Sequence, residues 1–305
     1  MNRARAGWEL ARPFTLLVPG LGMISGAVVA ASAHPGGAPM IAWTSVVVLR
    51  IAAGTLMAML LNGASNALNQ IYDLPLDRIN KPHRPLPTGA LTIADAARLS
   101  AALYVAALAV AWALGWETGL YATIAAVCTY IYSAPPLRTK RHWLWANVTI
   151  ALPRGTLLKM AGWSLVRPAM RTPEAWAIGA IFGLFLLGAT SSKDFADVAG
   201  DRQHGCVTLP IRFGARGAAR RMAPFFIVPF LGFVVGAQTG VLTGDPRWLT
   251  GLGVGLALWG AWTARSLMVA PDRLALDANH PSWRHMYLMV VTAQVGVLVA
   301  YLAGR

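Results

Sequence analysis

Long, uninterrupted apolar runs recur along this chain, and they limit its possible folds more than any other feature. About 20 apolar residues cross a bilayer as a helix, and in hydrocarbon only helices and closed barrels satisfy every backbone donor and acceptor. Barrel strands would alternate apolar and polar residues over about 10 positions. The runs here are continuous, which excludes a barrel. Composition agrees, with 56% hydrophobic and 12% charged residues in a chain of 305. The expected fold is therefore all-α: a polytopic membrane protein with nine transmembrane helices around a central cavity, at residues 14–33, from 43 into the polar segment that begins at 66, 93–116, 116–132, 143–165, 173–198, 224–242, 248–269 and 285–302. The first run has no small-residue cleavage pattern after it and reads as a retained helix.

The net charge of +14 would point to nucleic acid in a soluble domain. In a membrane chain it marks cytoplasmic loops facing anionic lipid, so the bilayer is the expected partner and nucleic acid is not. Arg3, Arg5 and Arg12 precede the first run, and Arg78, Lys81, Arg84 and Arg98 follow the second. Arg138, Lys140 and Arg141 follow the fourth, and Arg202, Arg212, Arg216, Arg220 and Arg221 the sixth, with Arg265, Arg273 and Arg284 beyond. Only Arg167, Arg171, Arg247 and Arg305 fall on the opposite side. This asymmetry places the N-terminus and the polar segments after spans two and six in the cytoplasm. Cys128 and Cys206 lie far apart without CxxC spacing, which implies neither a disulfide framework nor a zinc site.

Acidic residues are scarce, with twelve in the chain, and two groups of them end cytoplasm-facing runs. The first group lies in NALNQIYDLPLDRINKPHRPLPTG, where Asn69, Asp73 and Asp77 stand at steps of four and would share one helical face. Pro75 is expected to kink that helix. The second group, in SSKDFADVAGDRQHGCVTLP, places Asp194, Asp197 and Asp201 at i, i+3 and i+7, again one face of a helix. The chain so reads as one intramembrane domain, 1–305, with two motif-bearing halves of about 1–134 and 143–305.

Carboxylate oxygens are hard ligands suited to Mg²⁺, which keeps waters and bridges to substrate phosphates. Two such clusters facing each other would hold a diphosphate, with Lys81, Arg84, Lys140, Arg141, Lys193 or Arg202 neutralising its outer oxygens. Asn66 and Arg138 join them as candidate substrate contacts. Arg154, a charge inside span five, is a candidate for binding substrate or acceptor. The chemistry expected is ionisation of a prenyl diphosphate to an allylic carbocation, attack by an acceptor and release of pyrophosphate, with Asp194 as the candidate base.

The segments NQIYDLPLDRINKPHRPLPTG, KDFADVAGDRQHGCVTLP and YSAPPLRTKR resemble the UbiA superfamily of intramembrane prenyltransferases. The resemblance implies Mg²⁺-dependent prenyl transfer, with Asn69, Asp73 and Asp77 matching one metal motif and Asp194, Asp197 and Asp201 the other. It also implies diphosphate contacts from Lys140 and Arg141, and roles for Tyr132 and Ser133 near the reacting carbon. WELARPFT, NQIYD and the pair Arg154-Gly155 are similar to homogentisate prenyltransferases. RINKPHRPLPTG is similar to geranylgeranylglyceryl phosphate transferases, and YSAPPL to chlorophyll synthases. An aromatic, quinone-precursor acceptor is favoured over these.

Plainer readings stand beside these. A single acidic helix end is usually a solvated cap, and basic loop residues are usually topology signals. Lys159 is read as a snorkelling or pairing charge, Arg50 as structural, and the twelve tryptophans as an interfacial belt. His83, His142, His204 and Cys206 read as loop residues beside the site. A transporter or lipid-binding protein would need acids near the bilayer midplane. A prenyl diphosphate phosphatase or synthase would share the metal site and differ in product.

Overall fold

The computed structural model describes residues 2–196, 198–203, 205–269 and 281–303. Asp197, His204, Arg273 and Arg305 lie outside the described residues. Within them all regular structure is helical, apart from one isolated parallel bridge between His142 and Val207. The elements are α1 (Arg3–Ala11), α2 (Leu17–Ser32), α3 (Ser45–Tyr72), α4 (Leu74–Asn80), α5 (Ile93–Leu114), α6 (Trp116–Ser133), α7 (Trp143–Ala151), α8 (Leu158–Ser164), α9 (Pro173–Ala189), α10 (Val198–Gln203), α11 (Leu209–Gln238), α12 (Pro246–Val269) and α13 (Pro281–Ala303).

Local chemistry sets several of these ends. Thr44 caps α3 by accepting from Val47 N at 3.3 Å. Thr92 and Asp95 form a reciprocal capping box at α5, so two otherwise orphaned amides are satisfied. Gly115, at φ 145°, separates α5 from α6 with a backbone that a side chain would oppose.

Seven helices are long and apolar enough to cross a membrane, counting α2 together with the tight turn before it. Their outward faces carry Leu49, Leu56, Val105, Trp112, Leu258 and Trp262 exposed, as lipid contact requires. The chain is an integral membrane protein. Two expected spans are not among the seven. The fourth corresponds to α6, which is 18 residues long and carries the polar Glu117 and Thr118 in its first turn. The fifth is broken: between α7 and α8, residues Leu152–Leu157 form a π-helical turn. Pro153 has no N–H to give the α-helical ladder, which is reason enough for the ladder to change register there.

Three further differences concern ends. The helix α1 was not expected. Its buried Ala6 and Leu10 pack with Ala67, Leu74, Leu86, Leu91 and Ala96 in a small second core under the loop after α4. The helix α11 begins at Leu209, kinks at Gly214 (φ 69°, ψ 166°), and after the kink is helical well ahead of 224, with Ala218, Ala219 and Met222 buried among the arginines. The sixth ends at Ala189, well short of 198.

Neighbour contacts close into a ring: α2 with α3, α3 with α5, α5 with α6, α6 with α8, α8 with α9, α9 with α11, α11 with α12, α12 with α13, and α13 back to α2. Lipid tails are as apolar as leucine, so close approach through small residues carries much of this packing. Gly26 and Gly162 meet where α2 crosses α8. A Cβ on Gly260 would overlap the Phe226 carbonyl of α11. Gly260→Ala is therefore expected to destabilise by about 1–3 kcal/mol, although alanine favours a helix by about 1 kcal/mol. Gly251, on the same helix but facing open space, is the control. Thermal unfolding in detergent should fall for the first variant and not for the second.

Buried polar groups fasten the side away from the acidic motifs. Glu117 accepts from the amides of Ala169 (2.6 Å) and Met170 (3.2 Å). Arg50 donates to the Leu165 and Leu114 carbonyls at 2.7 Å each, capping two helix ends, in line with a structural role.

Candidate active site

The acidic motifs lie where helices end, and neither is one continuous helical face. In the first, α3 stops at Tyr72 and α4 starts at Leu74, with Asp73 at φ −97°, ψ 5° as the junction. Pro75 sits in the first turn of α4, where a missing N–H costs least. The amide bonds still run from Asp73 N to Asn69 O (2.9 Å) and from Asp77 N to Asp73 O (2.7 Å), so the three residues stay loosely stacked across the kink.

The second motif departs further from expectation. After Ala189 the chain tightens into a 3₁₀ turn at Thr190–Lys193 and passes through Asp194, and Val198–Gln203 form a separate helix. Asp194 and Asp201 therefore belong to different elements, and the single face expected from i, i+3, i+7 spacing is not formed. The cause is local. Thr190 and Ser191 donate to Asn147 Oδ1 of α7 at 3.2 and 2.9 Å, and Phe195 is buried in the main core, so side-chain anchoring overrides the helical ladder.

Cations stand directly against the carboxylates of the first motif. Lys140 Nζ contacts Asp73, and Arg138 Nη2 lies 3.6 Å from the same carboxylate while donating to the Tyr72 carbonyl at 2.9 Å. Arg84 grips buried Asp77 through both oxygens, at 2.7 and 2.6 Å. Lys140 is also within electrostatic reach of Asp201, Lys193 and Arg141, so it stands between the two motifs. The loops that carry them are joined, since Val207 N donates to Arg141 O at 2.9 Å.

The end of α6 completes this cluster. Asn69 donates to Ser133 Oγ at 3.3 Å, and Lys193 donates to the Tyr132 hydroxyl at 3.2 Å, its ammonium 5.6 Å from that ring's centroid. Arg141 and Arg202 are exposed, and Lys81 is half-buried at the end of α4. Lys159 is enclosed apart from the cluster, bonded to Ser25 and the Gly22 carbonyl and 4.2 Å from the Phe182 ring.

Arg154 follows the proline of the π-helical turn and borders a cleft lined by Met23, Met57, Leu61, Asn62, Tyr121, Thr129 and Leu157. Its guanidinium reaches Asn62 Oδ1 at 3.4 Å. Asn66 does not face this group. It donates to Ala11 O (2.9 Å) and Thr15 Oγ1 (2.8 Å), fastening α3 to the turn between α1 and α2. Arg12, read from sequence only as a topology charge, is in that turn. Burial and the charge of Arg84 lower its guanidinium to about 10, so it stays cationic at neutral pH. The sequence sign was available in the pair Arg12-Pro13 at the start of an apolar run, but nothing local tied it to Asp77.

The donor set of Asn69, Asp73, Asp77, Asp194 and Asp201 is oxygen throughout, which suits Mg²⁺. Among the described residues no three acidic, histidine or cysteine side chains converge into a ready cage. Such a set fits an ion that shares its coordination with water and a substrate phosphate.

An all-helical membrane protein with carboxylates and cations gathered at the helix ends beside an apolar cleft is thus defined. The model of the UbiA prenyltransferase family matches residues 21–302, and the chain belongs to that family. It is 32% identical over 209 residues to a homogentisate phytyltransferase of Synechocystis sp., covering 67% of this chain and 60% of that relative's length. To a digeranylgeranylglyceryl phosphate synthase of Methanopyrus kandleri it is 29% identical over 85% of this chain and 91% of the relative. Its fold is similar to a UbiA homolog from Archaeoglobus fulgidus solved with GPP and Mg²⁺, with a TM-score of 0.67, 19% identity and coverage of 96% and 99% of the two chains.

Proposed function

We propose that the chain is a Mg²⁺-dependent prenyltransferase moving a prenyl group from its diphosphate to an aromatic quinone-precursor acceptor of the homogentisate type. The observation that carries this reading is Lys140, in contact with Asp73 of the first motif and within electrostatic reach of Asp201 of the second. A cation between two acidic walls is the arrangement a bridged diphosphate requires. The 32% identity to the cyanobacterial phytyltransferase supports the homogentisate type.

In this reading Asn69, Asp73, Asp77, Asp194, Asp197 and Asp201 hold the metal, which when bound neutralises charge developing on the leaving diphosphate. Lys140, Arg138 and Arg141 hold its outer oxygens, with Lys81, Arg84, Lys193 and Arg202 around them. The apolar cleft takes the hydrocarbon and keeps water from the allylic cation. Tyr132 offers its ring to the cation, Lys193 fixes that ring by its hydroxyl, and Asn69 fixes Ser133. Asp194 takes the acceptor's proton. The chain crosses the bilayer nine times, with α6 and the α7–α8 stretch added to the seven apolar helices, and its N-terminus and site face the cytoplasm. A second reading has geranylgeranylglyceryl phosphate as acceptor, favoured by the match to nearly the full length of the archaeal relative.

Purified protein given geranylgeranyl diphosphate, Mg²⁺ and homogentisate is expected to release pyrophosphate together with a prenylated aromatic, and to stop when the metal is chelated. Free prenol alone would mark a phosphatase, a longer diphosphate would mark a chain-elongating synthase, and either would overturn the proposal.

A further inference from the structure

We propose that α7 sets the gap between two lysine-bearing turns of the site, with Asn147 and Thr149 as positioning residues, so that a diphosphate spans the gap and a single phosphate does not. This deepens the prenyl diphosphate reading and rests on it.

The two turns are built alike. Thr139–Arg141 and Thr190–Lys193 are both 3₁₀ turns, and each opens on a buried threonine whose hydroxyl bonds α7. Lys140 follows the first threonine directly, and Lys193 closes the second turn. From different parts of the chain, the two lysines come to one place. Lys140 contacts Asp73, whose amide donates to Asn69 O at 2.9 Å, and the Asn69 side chain donates to Ser133 Oγ at 3.3 Å. Lys193 donates to the hydroxyl of the adjoining residue, Tyr132, at 3.2 Å. The end of α6 therefore lies between a lysine from each turn.

Behind both turns lies α7, which packs against each. Asn147 and Thr149 stand two residues apart on it and so face different ways, one toward each turn. Ser191 donates to Asn147 Oδ1 at 2.9 Å, and Thr190 shares its hydroxyl between that oxygen at 3.2 Å and the Leu186 carbonyl at 2.7 Å. Asn147 Nδ2 donates to the Trp143 carbonyl at 2.9 Å, so the amide is held at both ends. Thr149 donates its one proton to the Trp145 carbonyl at 2.6 Å, which leaves Thr139 to donate to the Thr149 hydroxyl across 2.8 Å. All five of these side chains, Thr139, Asn147, Thr149, Thr190 and Ser191, are buried, so breaking one bond leaves a polar group bare. The five are uncharged, and they act only by placing Lys140 and Lys193. In a site that works by orientation, a shift of about 1 Å costs up to about 10²-fold.

Calorimetric titration in Mg²⁺ with inorganic pyrophosphate and, separately, with inorganic phosphate tests the spacing. Wild type is expected to bind pyrophosphate the more tightly. Thr149→Val, which keeps the shape and drops the hydroxyl, should weaken pyrophosphate about 10-fold, the worth of about one hydrogen bond, and leave phosphate within about twofold. Thr149→Ser keeps the hydroxyl and should bind both as wild type does. From the other turn, Ser191→Ala should repeat the Thr149→Val pattern. In turnover, Thr149→Val and Ser191→Ala should lower kcat for pyrophosphate release and leave KM for the acceptor unchanged. Equal losses for the two anions would mark a merely structural role, and unchanged pyrophosphate binding would mark no role; either overturns the spacing proposal. If Thr149→Val does not fold, Ser191→Ala decides by the same comparison. Failure of the diphosphate reading itself would appear in wild type, as pyrophosphate bound no more tightly than phosphate.

Discussion

Asp73→Asn is expected to lower the rate of pyrophosphate release by about 10³-fold while leaving the protein folded. The substitution keeps the shape of the side chain and removes its charge. Two consequences follow from the contacts of Asp73. The junction of α3 and α4 loses the carboxylate proposed to hold the metal, and preorganised groups stabilising a leaving anion are worth about 10²–10³ in rate each. At the same time Lys140 and Arg138 lose their counter-charge, which for a largely buried pair costs up to about 3–5 kcal/mol. Asp73→Asn with Lys140→Gln removes both charges and should restore much of the stability without restoring turnover. Pyrophosphate release and thermal unfolding, measured on the same preparations, separate the two effects. Wild-type turnover in Asp73→Asn would sink the metal assignment.

The opposite pattern is expected on the far side of the molecule. Glu174, at the start of α9, accepts from Thr243 N (2.7 Å), Thr243 Oγ1 (2.9 Å) and the Tyr301 hydroxyl, tying α9 to the α11–α12 turn and to the end of α13. Thr243 Oγ1 in turn accepts from His34 N at 2.8 Å, which brings in the end of α2. Glu174→Ala leaves Tyr301 and the Thr243 amide without their acceptor in a buried place, and about 3–5 kcal/mol of stability should be lost. Glu174→Gln keeps the accepting oxygen and should lose less. Because this knot shares no residue with the acidic motifs, KM for donor and acceptor should not change in the fraction that remains folded. A change in KM at full stability would show that the knot reaches the site.

What could be read from the sequence, and what could not, divides along a physical line. Span positions follow from hydrocarbon thickness and need only a count of consecutive apolar residues, so α2, α3, α5, α12 and α13 start and stop close to where they were expected. The acidic groups were legible because carboxylates at helix ends are rare in such a chain. Their shape was not. Pro75 announced the kink in the first array, but spacing alone predicts a common face for the second, which the anchoring of Thr190, Ser191 and Phe195 unwinds. The basic part of α11 was read as polar loop because its arginines hide the buried Ala218, Ala219 and Met222 that follow the kink at Gly214, a stripe that matters only once a neighbour covers it. Arg12 is the plainest case. Its company of Arg84, Arg154 and Asp77 comes from two distant segments, and no local pattern records that meeting.

The amide of Val207 on the Arg141 carbonyl has a consequence for how the site opens. It couples the loop that leaves α6 to the loop that enters α11. One such bond contributes about 1 kcal/mol, enough to favour the fastened form by roughly fivefold. A latch that weak releases readily, yet while it holds, neither loop swings without carrying the other. Opening is then one event for both walls, and whatever Lys140 holds is let go by both at once.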